Sequence, residues 1–472
     1  MRLDILSDLK KYQGRAWLWN YTVETNKIVD RDRFILYRLT QVKLEKILSL
    51  VTSSSDRLNV IIAESNSIEF LATLMAGIIS EVNIFLCDLH WQEKEWQQVL
   101  NLVQPDLIFA EGQVRDLIDH FNNINRERLT PTIDIFQESL IMIPTGGSSG
   151  KVKFAMHSLS TLTASVRGFQ KYFNCSEINS FCTLPLYHVS GLMQFMRSFL
   201  TQGNLIICPY KAIDTEQLIF KKQDYFISLV PTQLQSSIES IPDWLAEFKT
   251  VLLGGASISR SLLNEARKYQ IPLAPTYGMT ETASQIVTLK PDDFLAGNNS
   301  SGQVLPHAAI IIKPQANHTA GLIEIKCDSL CLGYYPQTFA KSYIFTTDDL
   351  GYLDDLGYLY LLGRNSQKII TGGENVFPAE VEEAILATKL VKDICVVGIS
   401  DRYWGEVVTA LYVPLTSNQD LDLIKGKIRT QLAKYKQPKK WLEVNSLPRN
   451  NRGKINYQKV KVIVNSKVIS NK

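Results

Sequence analysis

The stretch Pro144-Thr-Gly-Gly-Ser-Ser-Gly-Lys-Val-Lys153 gathers glycines, hydroxyls and two lysines directly after the apolar run 140–143. At the end of a strand, such a loop can turn several backbone N–H groups and hydroxyls toward one anion. Thr145, Gly146, Gly147, Ser148, Ser149 and Gly150 therefore read as a phosphate cradle, with Lys151 and Lys153 adding positive charge. A Walker A loop is excluded by spacing, because Thr145 stands where its first glycine belongs and Val152 where the magnesium-binding hydroxyl belongs. Taken alone, the stretch could equally be a flexible linker.

A second constellation is Tyr277-Gly-Met-Thr-Glu-Thr282, in which a strand breaks at Gly278 and delivers hydroxyl, carboxylate and hydroxyl just beyond. Thr280 and Glu281 beside a phosphate loop suit a magnesium nucleotide, since Mg²⁺ takes one or two carboxylates plus phosphate oxygens. The same residues could cap a helix and answer its dipole. His188 closes Leu184-Pro-Leu-Tyr-His188, and a lone histidine among apolar residues is more often structural. Asp349, in Thr347-Asp-Asp-Leu-Gly351, could accept from a ribose diol, although a turn aspartate is the commoner reading. Lys454 sits between Gly453 and Ile455, in a turn able to present one ammonium at a fixed place.

These residues need elements to position them. Short apolar runs at 58–63, 82–86 and 106–110 alternate with helical stretches to 79 and near 93–103, which implies right-handed crossovers and a mostly parallel sheet. Ligand sites in such sheets lie at the carboxyl ends of strands. A helix is expected over 158–173. Strands follow at 225–230 and 250–253, the latter ending in Gly254-Gly-Ala256. Residues 302–363 are hairpin-like, with two Asp/Gly turns in 347–358. Beyond Gly363-Arg364, Pro378 opens a helix, strands are expected at 394–398 and 407–413, and a basic helix near 421–436. Residues 1–56 offer only a short amphipathic helix near 43–50.

The fold class is therefore α/β: a large N-terminal domain of parallel-type sheets with helices and a small β subdomain (1–364), then a small α+β C-terminal domain (365–472). With 50 Lys+Arg against 47 Asp+Glu, the net charge of +3 is too small to point to nucleic acid as the main partner. Seven scattered cysteines without C-x-x-C spacing argue against a disulfide framework or a zinc site. No secretory signal or bilayer-length apolar run is present, so a soluble protein of the cytoplasm is expected.

In this order, the motifs resemble the adenylate-forming superfamily of acyl-CoA synthetases, adenylation domains and luciferases over nearly the whole chain past residue 58. They are 145–153, 184–188, 254–256, 277–282, 347–351, Gly363-Arg364, Gly372-Gly-Glu-Asn375 and 448–454. The resemblance implies attack of a carboxylate on the α-phosphate of ATP, giving an acyl-adenylate and pyrophosphate, followed by displacement of AMP by the thiol of CoA. It implies that 145–153 hold the β- and γ-phosphates, Thr280 the α-phosphate, Glu281 Mg²⁺, and Asp349 and Arg364 the ribose. Gly254, Gly255, Ala256, Tyr277 and Gly278 would line the nucleotide and acyl pockets. Lys454 would serve the first step. The C-terminal domain would then turn about a hinge at Ser366, bringing Gly372 and Gly373 to the CoA channel.

Departures are Gly146, Val152 and Phe154 in the loop, Ser366 for the usual hinge aspartate or lysine, and Asp348 for a glycine. Within the superfamily, segments 184–192, 228–234 and 277–285 resemble the o-succinylbenzoate-CoA ligases of menaquinone and phylloquinone synthesis most. That implies an aromatic dicarboxylate substrate, with His188 gating and Ser190, Arg197 and Ser228 meeting the second carboxylate; Arg197 could instead be a surface residue. The other readings are a different aryl- or acyl-CoA synthetase, a stand-alone adenylation enzyme, and a non-enzymatic AMP-binding module. Lys436 and Lys439 are compatible with a CoA nucleotide site.

Overall fold

The structure is a computed structural model, described for residues 5–12, 16–22, 27–29, 32–51, 57–112, 114–116, 138–146, 151–314, 320–340, 343–416, 420–449 and 455–469. Two large sheets dominate it. In a seven-stranded sheet, Asn59–Ala63, Asn83–Leu86, Leu107–Ala110 and Leu140–Gly146 run parallel. Val152–Ser158 turns back antiparallel on Leu140–Gly146. In a nine-stranded sheet the central strands, from Leu18–Thr22 through Leu205–Ile207, Asn179–Cys182, Tyr225–Leu229 and Thr250–Leu253 to Leu273–Met279, are parallel, with antiparallel strands at both edges.

Strands buried on both faces read as near-continuous apolar runs, and all four residues of Asn83–Leu86 and of Thr250–Leu253 are buried. Helices Ser67–Ile79, Leu159–Phe173 and Val189–Leu200 fill the space between the two sheets, sharing one core with both. The first of them is apolar almost all round because it is buried between the seven-stranded sheet and the helix Asp32–Val51. Asn66 starts it, its side chain accepting from Ile68 N and Glu69 N. Glu93–Val103 covers the outer face of the seven-stranded sheet, and Pro231–Ser240 with Arg260–Lys268 that of the other. The body is thus five layers deep.

The hairpin-like region is a four-stranded antiparallel sheet, Ala308–Pro314, Gly321–Cys327, Phe345–Leu353 and Leu359–Arg364. Only one of the two expected Asp/Gly turns forms, at 354–357, where Gly357 N donates to Asp354 O. Asp349 lies inside a strand. Beyond residue 365 a separate sheet of Ile369–Thr371, Glu374–Val376, Gly405–Pro414, Val391–Asp401 and Lys440–Glu443 carries helices Pro378–Ala387 and Leu421–Arg429.

Four elements depart from sequence expectation. The N-terminal helix spans Asp32–Val51, well beyond 43–50, and Leu18–Thr22 joins the nine-stranded sheet. The basic helix stops at Arg429. The chain ends in an unforeseen helix, Tyr457–Ile469. Among the described residues no helix is long and apolar enough to cross a membrane. All seven cysteines are free.

Candidate active site

The hairpin Leu140–Gly146/Val152–Ser158 pairs Thr145 with Lys153 and Gly146 with Val152. Gly147, Ser148, Ser149 and Gly150, the middle of the expected phosphate cradle, lie outside the described residues. Next to this hairpin the strand Leu273–Met279 runs into a short 3-10 turn, Thr280–Thr282, in place of a helix. The turn is held from several sides. His157 Nε2–H donates to the Thr280 carbonyl at 2.8 Å, Cys331 N to the Glu281 carbonyl at 2.7 Å, and the Ser329 hydroxyl to the Thr282 carbonyl at 2.9 Å. Burial lowers the His157 pKa to about 4, so the ring is neutral with its proton on Nε2, because a carbonyl only accepts.

Glu281, 8% exposed, accepts from the Tyr334 hydroxyl at 2.6 Å and stands 3.5 Å from the Thr145 hydroxyl. No ion pair forms at its carboxylate among the described residues. A buried carboxylate met only by hydroxyls suits a cation held mostly by phosphate and water. Lys153 places its ammonium 5.4 Å from the centre of the Tyr334 ring, tying the hairpin to the same corner.

A second corner forms where Phe345–Leu353 pairs with Leu359–Arg364. That register sets Asp349 directly opposite Arg364. Asp349 Oδ1 lies 3.3 Å from Arg364 Nε, and its Oδ2 accepts from the Tyr277 hydroxyl at 2.9 Å. Tyr277 is buried, and its hydroxyl pKa is pushed up by that burial and then by Asp349. Gly254, Gly255 and Ala256 follow the end of Thr250–Leu253. A Cβ on Gly254 would fall 2.4 Å from the Thr276 hydroxyl, so only glycine lets the two strands approach there. Gly278 is tighter still, with Ser284 O 2.1 Å from where its Cβ would lie.

The third corner is the helix Val189–Leu200, with His188 immediately before it and Ser190 in its first turn. Arg197 is a core residue, 3% exposed, which removes the surface reading. Its Nη2 donates to Ser284 Oγ and Gln285 Oε1, both at 2.7 Å, and its guanidinium lies 4.3 Å from the centre of the Phe169 ring. Burial draws its pKa down to about 9. No carboxylate pairs with it among the described residues. Ser228 lies on Tyr225–Leu229, where its carbonyl accepts from the Thr183 hydroxyl; no hydrogen bond joins it to Ser190 or Arg197.

In the C-terminal unit Gly372 and Gly373 form the turn between Ile369–Thr371 and Glu374–Val376, with φ of +59° and +85°. Ser366 is tied to Asp348: its N donates to Oδ1 at 3.0 Å and its hydroxyl to Oδ2. Two of the departures from the family pattern therefore meet each other. Lys436 pairs with Glu380 at 2.6 Å, and the Lys439 ammonium lies over the Trp404 ring. Lys454 lies outside the described residues; the backbone bridge Arg449–Ile455 flanks it. His157 and Tyr334 are the site neighbours that motif reading missed. Neither has a spacing signal, and each is brought in by strand pairing.

The fold, the hairpin and the glutamate turn together define a class: the chain belongs to the AMP-binding enzyme family, which residues 51–335 match, with residues 380–454 matching the AMP-binding enzyme C-terminal domain. It is an ATP-dependent acyl-adenylate-forming ligase. Among individual proteins, it is 33% identical over 395 residues to the 2-succinylbenzoate–CoA ligase of Enterococcus faecalis, covering 79% of this chain and 80% of that one. The corresponding ligase of Listeria innocua is 30% identical over 86% of this chain and 89% of its own. The fold is that of the o-succinylbenzoate CoA synthetase of Bacillus subtilis in complex with its acyl-adenylate intermediate, with a TM-score of 0.80, 24% identity and 98% of each chain covered.

Proposed function

We propose that this enzyme activates o-succinylbenzoate with ATP and transfers the acyl group to CoA, a step of menaquinone or phylloquinone synthesis. The observation that carries the choice of acid is Arg197, a buried cation without a carboxylate partner among the described residues, set one strand pairing away from the nucleotide turn. An unpaired buried charge is costly and is kept where a ligand supplies the counter-charge. The named activity of the E. faecalis and L. innocua relatives supports the same acid and the same thiol acceptor.

In this reading the residues divide the labour by corner. Thr145, Lys151 and Lys153, with the intervening residues 146–150, hold the β- and γ-phosphates. The Thr280 hydroxyl meets the α-phosphate. Glu281 would hold Mg²⁺, which when bound neutralises phosphate charge. Asp349 and Arg364 take the ribose hydroxyls, and Tyr277 packs along the nucleotide while fixing Asp349. The substrate carboxylate attacks the α-phosphorus and pyrophosphate leaves. Little covalent work falls to the protein, whose task is alignment and charge neutralisation. His188 and Ser190 bound the acyl tunnel and Arg197 meets the ring carboxylate, with Ser228 lining the far wall.

Lys454 would bridge phosphate and carboxylate in the first half-reaction. For the second, we propose that residues 365–472 rotate as a unit about Ser366 against residues 1–364, withdrawing Lys454 and bringing Gly372 and Gly373 to the path of the CoA arm. The test is acid-dependent ATP–pyrophosphate exchange, comparing o-succinylbenzoate with benzoate, coumarate, medium-chain fatty acids and amino acids. Exchange with o-succinylbenzoate is expected, and Arg197→Ala should raise KM for that acid about 10-fold or more with KM for ATP little changed. Exchange with a different acid alone would overturn the substrate.

A further inference from the structure

A group of unmet polar atoms lies in one part of the interior. Among the described residues Ser165 Oγ, Gln194 Oε1, Arg197 Nε, Gln285 Nε2, Thr288 Oγ1 and both ring nitrogens of His307 are closed off from solvent and lack a hydrogen-bond partner. Most belong to helices Leu159–Phe173 and Val189–Leu200 and to strand Ser284–Thr288, which pack on one another. Buried polar groups in folded proteins are nearly all satisfied. A cluster of unsatisfied ones marks a position where a polar partner belongs.

His307 is the most constrained member. Leu305 N donates to Ile286 O at 2.8 Å, on the strand whose Ser284 and Gln285 receive Arg197, and His307 follows in a turn closed by Ala308 N on Leu305 O. The imidazole then enters helix Leu159–Phe173 at Gly168, where a Cβ would fall 1.8 Å from His307 Nδ1. Glycine inside a helix is normally unfavourable against alanine. Here it leaves the space that the ring occupies. The charged groups facing the ring are Asp328 and Arg197; burial dominates, and the pKa is lowered to about 4. The neutral ring has one N–H to donate, and no described residue receives it.

We propose that His307 is a specificity-determining residue whose ring N–H binds the far carboxylate of the acid together with Arg197. This rests on the reading of the substrate as an aromatic dicarboxylate. Strand pairing sets Ser284 opposite Met279, the residue before Thr280, so an acid activated at the turn has the Arg197–His307 corner within reach of its other end. Arg197 supplies the charge, and His307 adds a neutral donor that fixes the carboxylate's orientation. The pair also selects against acids without the second carboxylate, which would leave both groups dry.

Two acids isolate the contact: o-succinylbenzoate, and 4-oxo-4-phenylbutanoate, which keeps the arm and the ring but lacks the ring carboxylate. In ATP–pyrophosphate exchange, His307→Ala is expected to lose about tenfold in kcat/KM for o-succinylbenzoate, through KM. Values for ATP and for 4-oxo-4-phenylbutanoate should stay as in the wild type, and His307→Gln, which keeps a donor, should recover most of the loss. On unmodified protein carrying ¹⁵N-histidine, the resonance missing from His307→Gln should shift, and its pKa rise by about a unit or more, on adding o-succinylbenzoate but not the monoacid.

Equal losses for both acids, no loss, or an imidazole signal indifferent to o-succinylbenzoate would make His307 a packing residue and overturn the proposal. If the wild type shows no exchange with o-succinylbenzoate but uses another acid, the substrate reading fails first and carries this inference with it. The wild-type control thus separates the two failures.

Discussion

His157 is neutral, fully buried and bound through Nε2–H to the backbone of the Thr280–Thr282 turn, so its titration couples stability to the candidate site. Its folded pKa of about 4 lies below the ordinary 6.5, and between those values the unfolded chain binds more protons. The resulting stability is fully present above pH 6.5 and is lost as pH falls toward 4. The shift corresponds to roughly 3 kcal/mol. Urea unfolding should show a falling midpoint from pH 7 to pH 5, and His157→Asn should flatten that fall while raising KM for ATP several-fold. At this scale the sequence was informative where a residue sat in a motif. Glu281 and Asp349 could be named in advance, although only the register opposite Arg364 showed that Asp349 stands in a strand and not in a turn. His157, Tyr334 and His307 were not legible, because a lone side chain gains its meaning from partners far along the chain, 123 residues for His157 and 53 for Tyr334.

Elements were legible in proportion to how locally they are determined. Glu93–Val103 follows from its own apolar spacing and first-turn acids, and it forms as read. Val152–Ser158 does not, because its existence depends on pairing back onto Leu140–Gly146 across the glycine loop. Leu18–Thr22 depends on Leu205–Ile207, far along the chain. Gly278→Ala tests one such long-range fit: with Ser284 O only 2.1 Å from the new Cβ, the strands must part. A loss of about 1–3 kcal/mol in thermal unfolding, with loss of adenylate formation, is expected. The link between Ser366 and Asp348 is a second test. Asp348→Ala removes an exposed tie worth about 0.5–1 kcal/mol, so tryptic cleavage after Lys368 should quicken about two- to fivefold.

Across the whole molecule, the unit beyond residue 365 touches the larger body lightly. Helix Pro378–Ala387 lies near helix Arg260–Lys268, with Arg260 and Glu383 joined at 2.9 Å, and both side chains are exposed. Such a pair contributes little, which suits the rotation proposed for this unit. Lys454→Ala should therefore abolish adenylate formation while leaving transfer from preformed acyl-adenylate to CoA largely intact. Single-turnover assays of each half-reaction would measure this, and equal loss of both would contradict a rotating unit.

The seven free cysteines take on another meaning in such a molecule. An acyl-adenylate acylates any thiolate it meets, and this protein makes that reagent in order to deliver it to one thiol. Its own thiols are all kept protonated by burial. Cys182, Cys208 and Cys331 are pushed up to about 12, and Cys87, Cys175, Cys327 and Cys395 are raised as well. Cys331, whose backbone N–H is bonded to Glu281, is the one nearest the chemistry. By denying it and the others a thiolate, the fold protects the enzyme from labelling itself with its own intermediate.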